Sequence, residues 1–160
     1  MTKTGNTRCS LGILIRDGDR SNLRVLESSK DRQRPVLCCD IYHPGSGKTI
    51  TFYNIHAPSG GKKSTSVYIA ELIEYAKGKG ACWAIIGDDN QSPLTTQLNP
   101  DVNTVNTGMA TQMSAGELDF GTVSSNLQGT AQSLPNGASS DHVALEFELS
   151  AAKKTDMDTK

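Results

Sequence analysis

Side chains that can carry catalytic chemistry border four apolar segments of this 160-residue chain. Each segment supplies a carboxylate, an amide or an imidazole: Asn54-Ile-His56, Gly87-Asp88-Asp89-Asn90, Leu118-Asp119-Phe120 and Ser140-Asp141-His142. Asp and Asn at one strand end are ordinary turn formers. Four such segments, which hold two of the three histidines, instead favour a functional site at strand ends, where catalytic groups are commonly held.

These residue types suit the hydrolysis of a phosphoester. A phosphodiester resists attack because it is already anionic, and a metal such as Mg²⁺, held by carboxylate oxygens and waters, would neutralise the charge that develops. A base must activate water, and an acid or a cation must meet the leaving oxygen. His142 paired with Asp119 or with Asp141 could supply such a base.

The elements that position these residues are predicted to be strands, one helix and further strands. Strands are predicted from branched and apolar runs bounded by turn residues at 11–15, 23–26, 35–42, 49–55, 83–87, 118–123 and 143–149. The segments 35–42 and 49–55 form a hairpin. A polar stretch at 91–116 shows no periodicity and is predicted to be a long loop.

One amphipathic helix is predicted between the strands at 49–55 and 83–87. Ser64 or Ser66 can cap it, it runs to about Lys77, and its apolar stripe comprises Ile69, Leu72, Ile73 and Ala76. Strands that alternate with a helix predict a mixed α/β fold with helices packed on sheet faces.

Length and composition limit the classes of protein that remain. The length predicts one domain at 1–150, followed by a polar, frayed tail at 151–160. No apolar run is long enough for a transmembrane helix, and the first residues carry no secretory signal. The absence of C-x-x-C argues against a zinc site.

Charge is distributed unevenly along the chain. Residues 1–34 hold eight Lys and Arg against four Asp and Glu, whereas residues 80–149 hold eight acids and no Lys or Arg. The acidic stretch is either a solvated face or the place where a cation binds, and the basic front end could meet a polyanion.

In order and rough spacing, the four polar segments resemble the motifs of the endonuclease/exonuclease/phosphatase superfamily. This superfamily includes pancreatic deoxyribonuclease, abasic-site endonucleases, sphingomyelinases and inositol-polyphosphate phosphatases. Within it, residues 34–37, 51–56 and 110–120 are most similar to the nuclease subunit of cytolethal distending toxins. The resemblance covers residues 11–149, and it implies a DNase I-like sandwich of two sheets with flanking helices.

The resemblance implies how the substrate phosphate is handled. His56 would act near the scissile phosphate as general acid or transition-state stabiliser, and it would contact the phosphate. Asp88 would orient the attacking water or help to bind Mg²⁺ or Mn²⁺, and Asn90 would hold the phosphate. Arg34 would also contact the phosphate, with Arg32 as its rival.

The resemblance also implies a base and a metal ligand. Asp119 would fix the tautomer and the ring orientation of His142, the general base, and Asp141 would bind the metal. Asp89 stands where the superfamily usually carries an apolar or aromatic residue. Its side chain is therefore expected to face away from Asp88 and to take no part in catalysis.

The chain departs from the superfamily at its N-terminal end. Family domains are longer and begin with a strand that carries an Asn, followed by a strand-end Glu that is the principal Mg²⁺ ligand. Neither has a counterpart here, and Glu27 lies in surroundings that do not match. The chain is therefore expected to form the C-terminal two-thirds of the sandwich, with one sheet incomplete and an exposed edge.

Three functions follow from the resemblance. The first is a metal-dependent DNA endonuclease, which would bind DNA mainly through its phosphates. The second is a lipid or inositol phosphate phosphatase on the same fold, and the third is a catalytically dead fragment with a binding role. A toxin subunit would be secreted and would need delivery subunits as partners.

Overall fold

The computed structural model describes most of the chain between residues 11 and 152. The described ranges are 11–13, 22–26, 34–43, 47–59, 62–97, 99–113, 116–134 and 141–152. Arg32, Glu27 and Ser140 lie outside these ranges, as do the turn at 44–46 and residues 153–160 of the predicted tail.

The larger sheet has six strands in the order β1-β2-β3-β4-β6-β5. They are β1 (Arg24–Leu26), β2 (Val36–His43), β3 (Lys48–His56), β4 (Trp83–Asp88), β5 (Val102–Val105) and β6 (Asp119–Ser124). Helix α1 (Lys62–Lys79) connects β3 to β4, which run parallel, and a short helix α2 (Pro93–Gln97) precedes β5. All other neighbouring strands of this sheet are antiparallel.

A second sheet consists of two antiparallel strands, β7 (Leu127–Ser133) and β8 (Leu145–Ala151). Along β8, apolar and acidic residues alternate, so that Phe147 and Leu149 pack towards the larger sheet while Glu146 and Glu148 are exposed. This period of two is what a strand with one covered face requires.

Each face of the larger sheet carries its own hydrophobic core. Ile69 and Ile73 from the stripe of α1 pack with Tyr53, Ile55 and other residues on one face. Residues of β4, β5 and β6 pack with β7 and β8 on the other face. The central strands are therefore covered on both faces, which explains why their sequences are apolar without alternation.

The predicted mixed α/β architecture is confirmed. The elements that differ from the prediction lie in segments whose hydrophobic periodicity is weak. The predicted loop at 91–116 contains α2 and β5, and residues 11–13 do not form the start of a strand. Strand β7 was not predicted, because most of its residues are exposed and leave no hydrophobic period. Strand β8 extends to Ala151, and the amide of Ala152 donates to the carbonyl of Asn126 at 2.8 Å.

None of the helices within the described ranges is both long enough and apolar enough to cross a bilayer.

Candidate active site

Three of the predicted site residues occupy one register row across three neighbouring strands. His56 at the end of β3 pairs with Asp88 at the end of β4, and Asp88 pairs with Asp119 at the start of β6. Directly paired residues of a sheet project to the same face, with their Cβ atoms about 5 Å apart. The fold thus brings together two carboxylates and an imidazole that are separated by up to 63 positions in the sequence.

Gly87 allows β3 and β4 to approach closely just before this row. Its φ is +147°, and a Cβ atom built on it would collide with the carbonyl oxygen of Ile55. Beyond the row, the amide of Ala57 donates to the carbonyl of Asp88 at 2.7 Å, and the amide of Asp89 donates to the carbonyl of Leu118 at 2.9 Å. The backbone around Asp88 is therefore fixed by both neighbouring strands.

His142 joins the row through Asp119, at a distance of 2.8 Å between its Nδ1 atom and Asp119 Oδ2. Burial by itself would lower the pKa of His142, but the hydrogen bond and the charge of Asp119 outweigh it, and the charges of Asp88 and Asp141 act in the same direction. The pKa of His142 is therefore raised. A neutral His142 ring that donates from Nδ1 to Asp119 carries its lone pair on Nε2, which is the atom suited to accept a proton.

His56 makes the second imidazole–carboxylate contact, at 3.3 Å between its Nε2 atom and Asp88 Oδ2. Burial and the charge of Arg34 lower the pKa of His56, although Asp88 opposes them. Burial likewise raises the pKa of Asp88, against the hydrogen bond from the Asn90 amide and the effect of His56. The contact is therefore that of a neutral imidazole donating to Asp88 rather than a full ion pair.

Asn90 fixes the carboxylate of Asp88 from the following turn. It adopts a left-handed conformation with φ of 49°, which asparagine tolerates better than most residues. Its backbone amide donates to Asp88 Oδ1 at 2.9 Å, and its Nδ2 atom donates to Ala57 O at 2.8 Å and to Asp88 Oδ2 at 3.2 Å. Both N–H groups of the side-chain amide are thus engaged, and Asn90 in this geometry orients Asp88.

Arg34 contributes the positive charge of the site. Its charge acts on His56, and its Nη1 atom is buried and has no hydrogen-bond partner among the described residues. A buried guanidinium nitrogen without a partner is costly unless an anion completes its hydrogen bonds. This observation fits the predicted contact with a phosphate.

Asp141 lies at the same end of the molecule, since its charge acts on His142. It is exposed, and Gln112 Nε2 donates to its Oδ2 atom at 3.4 Å. Within the described ranges, no group of three or more His, Cys, Asp and Glu side chains is arranged to hold a metal. Mg²⁺ and Mn²⁺ bind through oxygen atoms, and Mg²⁺ often uses one or two carboxylates with waters and substrate phosphate. The assignment of Asp88 and Asp141 as metal ligands stays a prediction.

Asp89 is an acid that the site does not use. It is fully buried, and neither of its carboxylate oxygens has a hydrogen-bond partner among the described residues. Burial, with the charges of Asp88 and Asp119, raises its pKa well above the usual value. Its charge also acts on Tyr68, which belongs to the core under α1.

The segment from 106 to 119 holds two residues that sequence reasoning missed. Glu117 accepts hydrogen bonds from Asn106 Nδ2, from Thr107 and from the Gly108 amide, at 2.7 to 3.0 Å. The hydroxyl of Thr111 accepts two backbone amides beside Asp119. No periodicity or spacing signals either residue, because the groups that donate to them come near only when this segment is folded.

Comparisons with known proteins give matches only among solved structures. A scan against protein-family models found no match, and a search of curated proteins found none. The structure of CdtB, the biologically active subunit of cytolethal distending toxin, matches with a TM-score of 0.60 and 20% identity, over 83% of this chain and 58% of that chain. The chain has the DNase I-like fold.

Two further structures support the same fold. An endonuclease/exonuclease/phosphatase from Bacteroides vulgatus matches with a TM-score of 0.60 and 16% identity, over 74% of this chain and 56% of that chain. Truncated TDP2 from Caenorhabditis elegans matches with a TM-score of 0.57 and 13% identity, over 81% of this chain and 65% of that chain.

The predicted resemblance to the endonuclease/exonuclease/phosphatase superfamily is thus confirmed at the level of the fold. The chain spans less than two thirds of the length of these DNase I-like structures. Together with a six-stranded and a two-stranded sheet, this coverage agrees with the predicted incomplete sandwich.

Proposed function

We propose that this DNase I-like chain is a divalent-metal-dependent phosphoesterase domain that acts on DNA phosphodiesters. The observation that carries the proposal is the register row of His56, Asp88 and Asp119, extended by the contact of 2.8 Å between Asp119 and His142. Hydrolysis of a phosphodiester needs an oriented base and donors around the phosphate, and this row supplies both types of group at one end of the sheet.

His142 is the general base of the proposed reaction. Asp119 accepts the Nδ1 proton, which leaves Nε2 to take a proton from the attacking water. As the imidazolium forms, the carboxylate of Asp119 stabilises its charge. The raised pKa of His142 makes it a stronger base than an isolated histidine would be.

His56 is better suited to stabilise the transition state than to donate a proton. Its lowered pKa keeps the ring neutral near neutral pH, so its N–H group can donate a hydrogen bond to a phosphate oxygen without losing the proton. Asp88, held by Asn90, accepts from His56 in the free protein; when the single N–H of the neutral ring donates to the phosphate instead, Asp88 is left to orient the attacking water.

Arg34 binds the substrate phosphate in this proposal. The buried Nη1 atom has an unused donor, and a phosphate oxygen would satisfy it by a charge-assisted hydrogen bond. Asn90 would add a phosphate contact only by giving up one of its two present hydrogen bonds.

Asp88 and Asp141 would hold the Mg²⁺ or Mn²⁺ ion. When bound, such an ion neutralises the negative charge that develops on the phosphate.

DNA is proposed as the substrate because of the resemblance to the toxin nuclease subunit, the match to the CdtB structure and the basic first third of the chain. Non-specific DNA binding is dominated by phosphate contacts, so we expect binding to weaken as salt increases. Other proteins of this fold are named as phosphatases, and the test therefore includes a second substrate.

The test is nicking of supercoiled plasmid by the full chain, with Mg²⁺ and with EDTA. We expect nicking with Mg²⁺, loss of nicking with EDTA, and a decrease of about 10²- to 10⁴-fold in His142→Ala, which lacks the base. The matched control is His43→Ala, because His43 lies at the far end of β2 and not in the register row.

The outcomes separate the three functions. Nicking that survives both EDTA and His142→Ala would overturn the proposed mechanism. Phosphate release from a phosphoinositide without plasmid nicking would replace DNA with a lipid or inositol phosphate as substrate. A folded chain that cleaves neither substrate but binds DNA would have a binding role only.

A further inference from the structure

Thr111 contacts the strand that carries Asp119 through a single buried oxygen atom. Only 1% of Thr111 is exposed, and its hydroxyl accepts hydrogen bonds from the backbone amides of Leu118 and Asp119, both at 2.9 Å. These two amides lie where β6 begins, so this one side chain satisfies two backbone donors at the start of the strand. Because water is excluded, no solvent molecule can take over the two hydrogen bonds if the hydroxyl is lost.

The backbone of the same residue contacts the segment that carries His142. The carbonyl of Thr111 accepts the amide of Val143 at 2.8 Å, and its neighbour Gln112 forms a β-bridge with His142. The amide of Thr111 in turn donates to the carbonyl of Gly116 at 3.0 Å. Thr111 is therefore bonded to Asp119 through its side chain and, through its backbone, to Val143, which follows His142.

We infer that Thr111 is a positioning residue for this pair. Asp119 is the first residue of β6, in the larger sheet, and His142 lies just before β8, in the second sheet. The two residues are 23 positions apart in the sequence, so their contact of 2.8 Å depends on how these two segments are held together. A hydroxyl that fixes the amide of Asp119 also fixes the direction in which its carboxylate projects. Since a displacement of about 1 Å at a catalytic group can cost about 10²-fold in rate, loss of this oxygen should reduce turnover without affecting substrate binding.

The expected loss of turnover rests on the proposed phosphoesterase function, whereas the role of Thr111 in holding Asp119 against His142 does not depend on it. The test compares Thr111→Val, which has nearly the same shape but no oxygen, with Thr111→Ser, which keeps the oxygen. Thr122→Val is the matched control: Thr122 is also buried and lies on β6, but its hydroxyl has no hydrogen-bond partner among the described residues.

The geometric measurement is the NMR signal of the His142 Nδ1 proton, which a hydrogen bond to Asp119 slows in exchange and shifts to low field. We expect the full wild-type chain, Thr111→Ser and Thr122→Val to keep this signal, and Thr111→Val to lose it. In plasmid nicking, we expect kcat of Thr111→Val to fall about 10- to 100-fold with KM unchanged, and kcat of Thr111→Ser to stay close to wild type.

Retention of both the signal and the rate by Thr111→Val would overturn the inference. If Thr111→Val does not fold, hydrogen exchange of the wild-type chain decides instead: slow exchange of the Leu118 and Asp119 amides supports the inference, and exchange as fast as in an exposed loop overturns it. A wild-type chain that shows the Nδ1 signal but does not nick plasmid would contradict the proposed function and leave the role of Thr111 standing.

Discussion

The two imidazole–carboxylate pairs of this site contain the same residue types but differ in their electrostatics. The His142 and His56 side chains are equally exposed, at 28% and 29%, and each contacts an aspartate, at 2.8 Å and 3.3 Å. Yet the pKa of His142 is raised and the pKa of His56 is lowered. The exposed fraction of the two rings therefore does not by itself explain the opposite pKa shifts.

The difference comes from the neighbours of each ring. His142 makes the shorter contact, and the charges of Asp119, Asp88 and Asp141 all raise its pKa. At His56, burial and the charge of Arg34 together outweigh the charge of Asp88 and lower the pKa. One ring is thereby prepared to accept a proton and the other to donate a neutral hydrogen bond, so two histidines of one site take different roles through their surroundings.

The largest effect is expected from Asp119→Asn. An amide at this position can neither hold the Nδ1 proton in the same way nor stabilise the imidazolium, so we expect kcat of plasmid nicking to fall about 10²- to 10⁴-fold. The active form of His142 is deprotonated, so activity rises with pH through its pKa. Because Asp119 raises that pKa, the rise should move to lower pH in the variant.

The same substitution should also change how stability depends on pH. A histidine whose pKa is raised by folding stabilises the protein at low pH, and this contribution disappears as the pH rises through the folded pKa. In urea unfolding, Asp119→Asn should therefore lose more stability at about pH 5.5 than at about pH 9. If the pH–rate profile of Asp119→Asn is identical to that of the wild type, Asp119 does not raise the pKa of His142, and the two imidazole–carboxylate pairs do not differ as described. Glu148→Gln, an exposed acid on β8, serves as control.

An intermediate effect is expected at Asp89, the acid that has no imidazole partner. Replacing a buried carboxyl without hydrogen bonds by an apolar side chain should stabilise the fold, and we expect Asp89→Leu to gain about 1–3 kcal/mol in urea unfolding. The folded wild-type chain binds a proton more tightly at Asp89 than the unfolded chain does. Its stability should therefore decrease as the pH rises above about 4, and this slope should be absent from the variant.

Asp89→Asn is the control for the effect of charge at this position. It removes the titratable group but keeps a polar side chain, so it should abolish the pH slope while gaining less stability than Asp89→Leu. A loss of stability in both variants would mean that the carboxylate has a partner and is not the unused acid of the site.

The smallest effect is expected from Arg34→Gln, observed in the NMR titration of His56. Removing the guanidinium removes a charge that lowers the pKa of His56, so that pKa should rise towards its ordinary value. The pKa of His142 is expected to change less, because the hydrogen bond and charge of Asp119 and the charges of Asp88 and Asp141 are the main groups that raise it. Arg24→Gln is the matched control, since Arg24 is paired with Asp40 at the edge of the sheet. If the pKa of His56 is unchanged in Arg34→Gln, the charge of Arg34 does not act on His56 and Arg34 does not belong to the site.

Much of the fold was predictable because strong patterns coincide with strong physical requirements. The apolar runs of β2, β3 and β4 are buried on both faces, and the stripe of Ile69, Leu72, Ile73 and Ala76 packs on the larger sheet as predicted. Strands β5 and β7 lie at sheet edges or are largely exposed, so their sequences carry little hydrophobic signal and were missed.

By itself, the sequence determined which residue types stand at the strand ends, because a buried strand must end where polar groups begin. The residue types indicated that His142 would be near an acid and left Asp119 and Asp141 as alternatives, and the resemblance to the superfamily favoured Asp119. The tertiary structure shows the contact with Asp119 and the hydrogen bonds between distant segments that hold it in place. Likewise, only the tertiary structure gave the two rings opposite pKa shifts, because burial, the charge of Arg34 at His56 and the hydrogen bond between His142 and Asp119 depend on distances that no sequence spacing fixes.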